Sequence, residues 1–164
     1  FEQLSGSAAQ LLEVAPAAAE LGFVGQVTSV RPELIRRLLE EELVPVIYTI
    51  DTFGGQSYNI NADLVAGSLA ASLQADKLIY LTDVDGIYRE LGDESSLIPE
   101  LGLKEAEDLI ADGGLSSGML PKLQSCIDAL KAGVRRTHII NGTVDHALLL
   151  ELYTDAGVGT MVRA

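Results

Sequence analysis

At 164 residues the chain is long enough to bury one hydrophobic core and short enough for a single domain, 1–164. Hydrophobic residues at 48% against 21% charged exclude a disordered chain, and a formal net charge of -13 speaks against nucleic acid or an anionic membrane surface as partner. With 5% aromatics and no Trp, the core falls to Leu, Ile, Val and Ala, a palette that suits a buried parallel sheet.

Cys126 is the sole cysteine, so no intramolecular disulfide forms, in keeping with a reducing, cytoplasmic setting. Beside Leu123 and Ile127 in a helical pattern, it reads as a small buried hydrophobe. No apolar run reaches membrane-spanning length, and no basic-then-apolar leader opens the chain. The first residue is Phe1 and not Met, so the chain reads as a fragment or a processed product.

In chain order, residues 7–21 predict an Ala-rich helix, with Ser5 or Ser7 as cap, Pro16 as a kink and Gly22 as terminator. Residues 23–30 alternate at strand period. Arg31-Pro32-Glu33 opens a helix whose apolar stripe is Leu34, Ile35, Leu38 and Leu39, with a solvated charged face. Residues 44–50 predict a strand. The stretch Gly54-Gly55-Gln56-Ser57-Tyr58-Asn59-Ile60-Asn61-Ala62-Asp63 then crosses from strand to helix. A small-residue helical pattern follows over 64–73, a buried strand over 77–82, and helices over 103–111 and 120–132. A strand over 136–140, an Asn141-Gly142 turn, a short helix over 147–152 and a last strand over 158–162 complete the chain. Strands separated by helices imply a doubly wound α/β fold, mainly parallel, with antiparallel edges allowed.

Three loops lie at carboxyl ends of predicted strands or open a helix, where ligands of α/β proteins bind. Residues 54–63 read either as a substrate pocket or as a helix start capped by Asn59 or Asn61, with Asp63 near the positive end. Asp83-Val84-Asp85-Gly86-Ile87-Tyr88 carries two carboxylates beside a glycine; a divalent metal, a ribose hydroxyl and an Asp-anchored turn all need such residues. Gly113-Gly114-Leu115-Ser116-Ser117-Gly118 precedes a helix and can cradle phosphate with backbone N–H groups, although the P-loop pattern is absent. Lys122 sits near that helix's start, where positive charge opposes the dipole; an anionic partner rationalises it, and so does a stem that extends into water. His138, in an apolar strand, reads as a core or rim residue, and His146 as a cap or an effector contact.

Four ordered motifs carry a resemblance. Residues 56–63, Lys77-Leu78-Ile79-Tyr80-Leu81-Thr82-Asp83-Val84-Asp85-Gly86-Ile87, Gly118-Met119-Leu120-Pro121-Lys122 and the C-terminal 146–151 with 154–161 resemble acetylglutamate kinases in order and spacing. The resemblance runs from about Leu21 to the C-terminus. It implies the αβα sandwich of the amino acid kinases and transfer of the ATP γ-phosphoryl group to the side-chain carboxylate of N-acetyl-L-glutamate, in arginine biosynthesis. It implies roles residue by residue. Asn59 binds the acetylglutamate, Asp63 orients catalytic lysines, and Lys122 stabilises the transferring phosphoryl group. Residues Asp83, Val84, Asp85, Gly86, Ile87 and Tyr88, with Gly114, Leu115 and Ser116, bind nucleotide. Mg2+ travels mainly on the ATP phosphates, with no dedicated protein cage. A homo-oligomer is implied, and in arginine-sensitive relatives an effector segment that matches His146, Glu151 and Gly157 here.

The family's N-terminal half carries a glycine-rich phosphate loop and another catalytic lysine, and neither is visible before Leu21. The resemblance therefore covers the C-terminal, nucleotide-binding portion with part of a substrate pocket. Two further readings stand beside it: a kinase for another amino acid, and a regulatory or arginine-binding module.

Overall fold

A computed structural model describes residues 11–17, 22–90, 92–116, 118–154 and 157–164. They fall into two compact units, Phe1–Leu73 and Gln74–Ala164. Ser5, Ser7 and the outer parts of the helix predicted over 7–21 lie outside the described residues.

In the first unit, β1 (Leu12–Pro16), β2 (Val24–Val30), β3 (Ile50–Phe53) and β4 (Gln56–Ile60) form a sheet ordered β1-β2-β4-β3. The helices are α1 (Glu33–Glu40) and α2 (Ala62–Leu73). β1 corrects the expected Ala-rich helix. Leu12 and Val14 are buried while Glu13 between them is exposed, so the segment buries one face at period two and pairs antiparallel with β2. Pro16 ends this edge strand, where a missing N–H is tolerated. Leu12 and Val14 join Ile35, Ile60, Val65 and Leu69 in the unit's core.

The expected strand over 44–50 begins only at Ile50, because the ladder finds its partner β4 there. Val44, Val46 and Tyr48 before it are exposed. Residues 54–63 are not a simple strand-to-helix crossing either. Gly54 and Gly55 (φ 58° and 83°) make the turn of a β3–β4 hairpin, a conformation glycine adopts without strain. β4 then runs parallel to β2, and only Asn61 separates it from α2.

The second unit holds β5 (Lys77–Thr82), β6 (Glu100–Gly102), β7 (Arg136–Asn141) and β8 (Thr160–Arg163), ordered β5-β7-β8-β6. The helices are α3 (Leu103–Ala111), α4 (Met119–Lys131) and α5 (Ala147–Tyr153). β5 pairs parallel with β7 and β6 with β8, whereas β7 and β8 are antiparallel. The first sheet mixes both senses too, so the fold is α/β with mixed sheets and not mainly parallel ones. α4 packs on β5, β7 and β8, and α5 on β7. Strand alternation explains this double cover: Tyr80 of β5 bonds Ser125 of α4 at 2.6 Å, and His138 of β7 meets Glu151 of α5. Cys126 of α4 is fully buried and reduced. No described helix is long and apolar enough to cross a membrane.

Candidate functional site

In the second unit, both predicted nucleotide segments converge. Val84, Gly86, Ile87 and Tyr88 after β5, and Gly114, Leu115, Ser116 and Met119 before and at the start of α4, line one cavity of about 80 Å³. That volume takes part of a nucleotide, since a whole drug-sized ligand fills roughly 300 Å³ or more. The Ser116 carbonyl accepts from the N–H groups of Met119 and Leu120 at 3.0 and 3.1 Å, which closes the first turn of α4. Lys122 lies in that first turn, half-buried.

The two carboxylates of the loop after β5 have different positions. Asp83 is exposed at the end of the strand and accepts from Thr82 Oγ1 at 3.2 Å. Asp85 is engaged inside the protein: Tyr88 Oη donates to Oδ2 at 3.0 Å and Asn141 Nδ2 to Oδ1 at 2.8 Å. Both donors are side chains and not the backbone N–H groups of an Asp-anchored turn, and the Asn141 bond ties the loop to the end of β7. Burial, the hydrogen bond to Asp85 and the charges of Asp85 and Glu94 together push the Tyr88 phenol above its usual range.

The start of β8 supports the same loop. Ile87 N donates to Thr160 Oγ1 at 2.8 Å, and the Thr160 hydroxyl donates to the Ile98 carbonyl at 2.6 Å. A Cβ on Gly86 would meet the Thr160 hydroxyl, with Leu97 Cδ1 and Thr160 N each at 3.0 Å. From sequence, Asn141 is expected only as a turn residue and Thr160 only as part of the last strand. An Asn or Thr at a strand end shows no such role in sequence, because the partners lie dozens of residues away.

A second cavity of about 380 Å³ in this unit is lined by Lys77, Glu100, Arg136, His138, Glu151 and Gly157, among others. His138 Nδ1 donates to Glu151 Oε1 at 2.6 Å, and Val158 N donates to Oε2 at 2.8 Å. Burial pushes the Glu151 carboxyl up, but these N–H groups, the His138 charge and the Gly159 N–H outweigh it and hold it below its usual range. His138 Nε2 is buried with no hydrogen-bond partner among the described residues. Of the effector residues expected from sequence, Glu151 and Gly157 line this cavity. His146 is not among its lining residues; it occupies the N-cap position of α5 with left-handed backbone (φ 61°) and no side-chain cap bond.

The other two expected site residues belong to the first unit. Asn61 Oδ1 accepts from the N–H groups of Asp63 and Leu64 at 2.9 and 3.2 Å, so Asn61 is the cap of α2. Asp63 lies in the first turn of α2, half-buried, and Asn59 is exposed on β4, pointing opposite to buried Ile60.

Residues 2–141 match the amino acid kinase family. The chain is 48% identical over 162 residues to acetylglutamate kinase of Syntrophomonas wolfei, covering 97% of this chain and 56% of that protein. It is 55% identical over 143 residues to acetylglutamate kinase of a Synechococcus strain, covering 87% and 46%. The chain thus spans about half the length of these relatives. N-acetylglutamate synthase from Neisseria gonorrhoeae, complexed with coenzyme A and L-arginine, superimposes with a TM-score of 0.84 at 31% identity, over 93% of this chain and 36% of that one. Carbamate kinase from Giardia lamblia bound to AMP-PNP gives 0.63 at 23% identity over 93% and 52%, a likeness of fold alone.

Proposed function

Because the chain belongs to the amino acid kinase family, we propose that it is the nucleotide-binding portion of an acetylglutamate kinase. The observation that carries the reading is the single cavity between the loop after β5 and the glycine-serine loop before α4. The same reading takes the chain as one domain of a three-layer αβα sandwich. It also takes N-acetyl-L-glutamate and ATP as substrates and a homo-oligomer as the working assembly.

In the reaction, a side-chain carboxylate oxygen of N-acetylglutamate bonds to the γ-phosphorus while the bond to the ADP oxygen breaks. Two anions meet, so catalysis consists of positioning and of cancelling charge. Lys122 supplies a cation at the first turn of α4. The loop of residues 83–88 and Gly114, Leu115 and Ser116 hold the nucleotide. Asn59 contacts the acetylglutamate, and Asp63 orients lysines. Mg2+ would be carried by the ATP phosphate oxygens and water.

Calorimetric titration of this chain with Mg-ADP tests the reading: saturable binding supports it, and no heat at millimolar nucleotide overturns it. A second reading, arginine as effector, is favoured by the cavity at Glu151 and Gly157, where carboxylates and cations face one space. Titration with arginine that leaves the melting temperature unmoved dismisses it.

A further inference from the structure

The start of β8 does more than pair with β7. Thr160 is fully buried, and its hydroxyl uses both of its hydrogen-bonding roles. It accepts from Ile87 N in the loop after β5 and donates to the Ile98 carbonyl beyond that loop. Ile87 and Ile98 are themselves joined, since Ile98 N donates to the Ile87 carbonyl at 2.8 Å. One hydroxyl therefore closes a ring of three hydrogen bonds around the base of the loop. Backbone contacts lock the same place. A Cβ on Gly159 would press on the Ile139 carbonyl and come within 3.0 Å of the Asp85 carbonyl, and Gly86 has no room beside Thr160. The loop residues facing the small cavity, Val84, Gly86, Ile87 and Tyr88, stand on this base.

We propose that Thr160 is a positioning residue of the nucleotide loop: its hydroxyl sets the height and tilt of residues 86–88 against the cavity shared with residues 114–116. The inference rests on the nucleotide reading of that cavity and names what holds one wall in place. Replacing the hydroxyl by a methyl group leaves shape nearly unchanged but orphans the Ile87 N–H and the Ile98 carbonyl, both away from water. A buried donor without a partner relaxes toward one, and the strand of backbone that carries it must move. Thr160→Ser keeps the hydroxyl and loses only the methyl.

The test compares the whole chain with Thr160→Val and Thr160→Ser, at a temperature where all three are folded by circular dichroism. Mg-ADP affinity is read by calorimetry, and exchange of the Ile87 amide by hydrogen–deuterium exchange. Thr160→Val should bind Mg-ADP about tenfold more weakly and exchange Ile87 about tenfold faster, while Thr160→Ser stays within about twofold of wild type. A folded Thr160→Val that binds like wild type overturns the inference. So does Thr160→Ser that binds as weakly as Thr160→Val, since the hydroxyl is then not the positioning group. Wild type that binds no Mg-ADP overturns the nucleotide reading itself. The Ile87 exchange rate then decides the positioning claim, which an unchanged rate in Thr160→Val overturns. If Thr160→Val fails to fold, Thr160→Ala removes the same hydroxyl with less bulk, and its results are read in the same way.

Discussion

Gly159→Ala tests the packing that holds the start of β8. An added Cβ would stand 2.7 Å from Ile140 Cγ2 and 3.0 Å from the Asp85 carbonyl, and closer still to the Ile139 carbonyl. Ordinary contact begins near 3.4 Å, so the first two gaps are short by about 0.7 and about 0.4 Å. The Ile140 methyl can turn aside, but Ile139 cannot: it pairs with Thr160 in the β7–β8 ladder. Moving backbone in a packed site costs about 3 kcal/mol, the upper part of the usual range for overpacking. For a chain of this size that lowers Tm by about 6–12 °C. Gly118→Ala is the control, because nothing lies within 4 Å of its Cβ position and its φ of -79° is ordinary helical backbone. It should hold or raise stability by under about 1 kcal/mol. Thermal unfolding followed by far-ultraviolet circular dichroism, repeated in urea, reads both. A Gly159→Ala protein melting within about 2 °C of wild type would refute the close-packing account.

Asn141→Asp sets a carboxylate against Asp85, at a site where Asn141 now donates across 2.8 Å. It should cost about 1.5–3 kcal/mol at pH 7, read by urea unfolding; a variant as stable as wild type would refute the Asn141–Asp85 bond as a tie of the loop. Glu151 is held below its usual range, so its contribution is present above about pH 4.5 and is lost as pH falls through its folded-state value. Wild type and Glu151→Gln should therefore converge in stability toward pH 3, and a constant gap from pH 7 to pH 3 would show that the charge is not what stabilises. In the full-length polypeptide, Lys122→Ala should lower turnover by about 10²–10³ while nucleotide affinity changes less than tenfold; turnover near wild type in an N-acetylglutamate-dependent assay removes its assigned role.

Much of the second unit was legible in sequence. The strand expected over 77–82 and the helices expected over 103–111 and 120–132 coincide with β5, α3 and, to within one residue at each end, α4. These segments are decided locally, by patterns that only one structure satisfies. β1 was not legible, because Ala-rich composition favours a helix and only pairing with β2 and burial of Leu12 and Val14 overrule it. The β3–β4 hairpin was missed: residues 54–63 read as a crossing from strand to helix, because the apolar run 44–50 suggested a strand that ends before Gly54-Gly55. β6, three residues long, is too short to leave a periodic trace. At the candidate site, a shared role for residues 83–88 and 114–116 came from the resemblance to acetylglutamate kinases; of the first loop, Val84, Gly86, Ile87 and Tyr88 line the cavity with residues 114–116. The division of labour between Asp83 and Asp85 did not follow, since it depends on Asn141, a residue far along the chain.

The exposed apolar residues of the first unit bear on how this chain behaves at concentration. Val44, Val46 and Tyr48 are 86, 93 and 77% exposed, and Ile50 and Phe53 stand half out on β3, which among the described residues pairs on one edge only. Such an edge is a template for another strand. Opposing it is the formal net charge of -13, which makes two copies repel at long range. The two tendencies respond oppositely to salt: the Debye length shrinks from about 30 Å at 0.01 M to about 3 Å at 1 M, while apolar contact does not weaken. Solubility of the chain should therefore fall as ionic strength rises, with self-association beginning at β3.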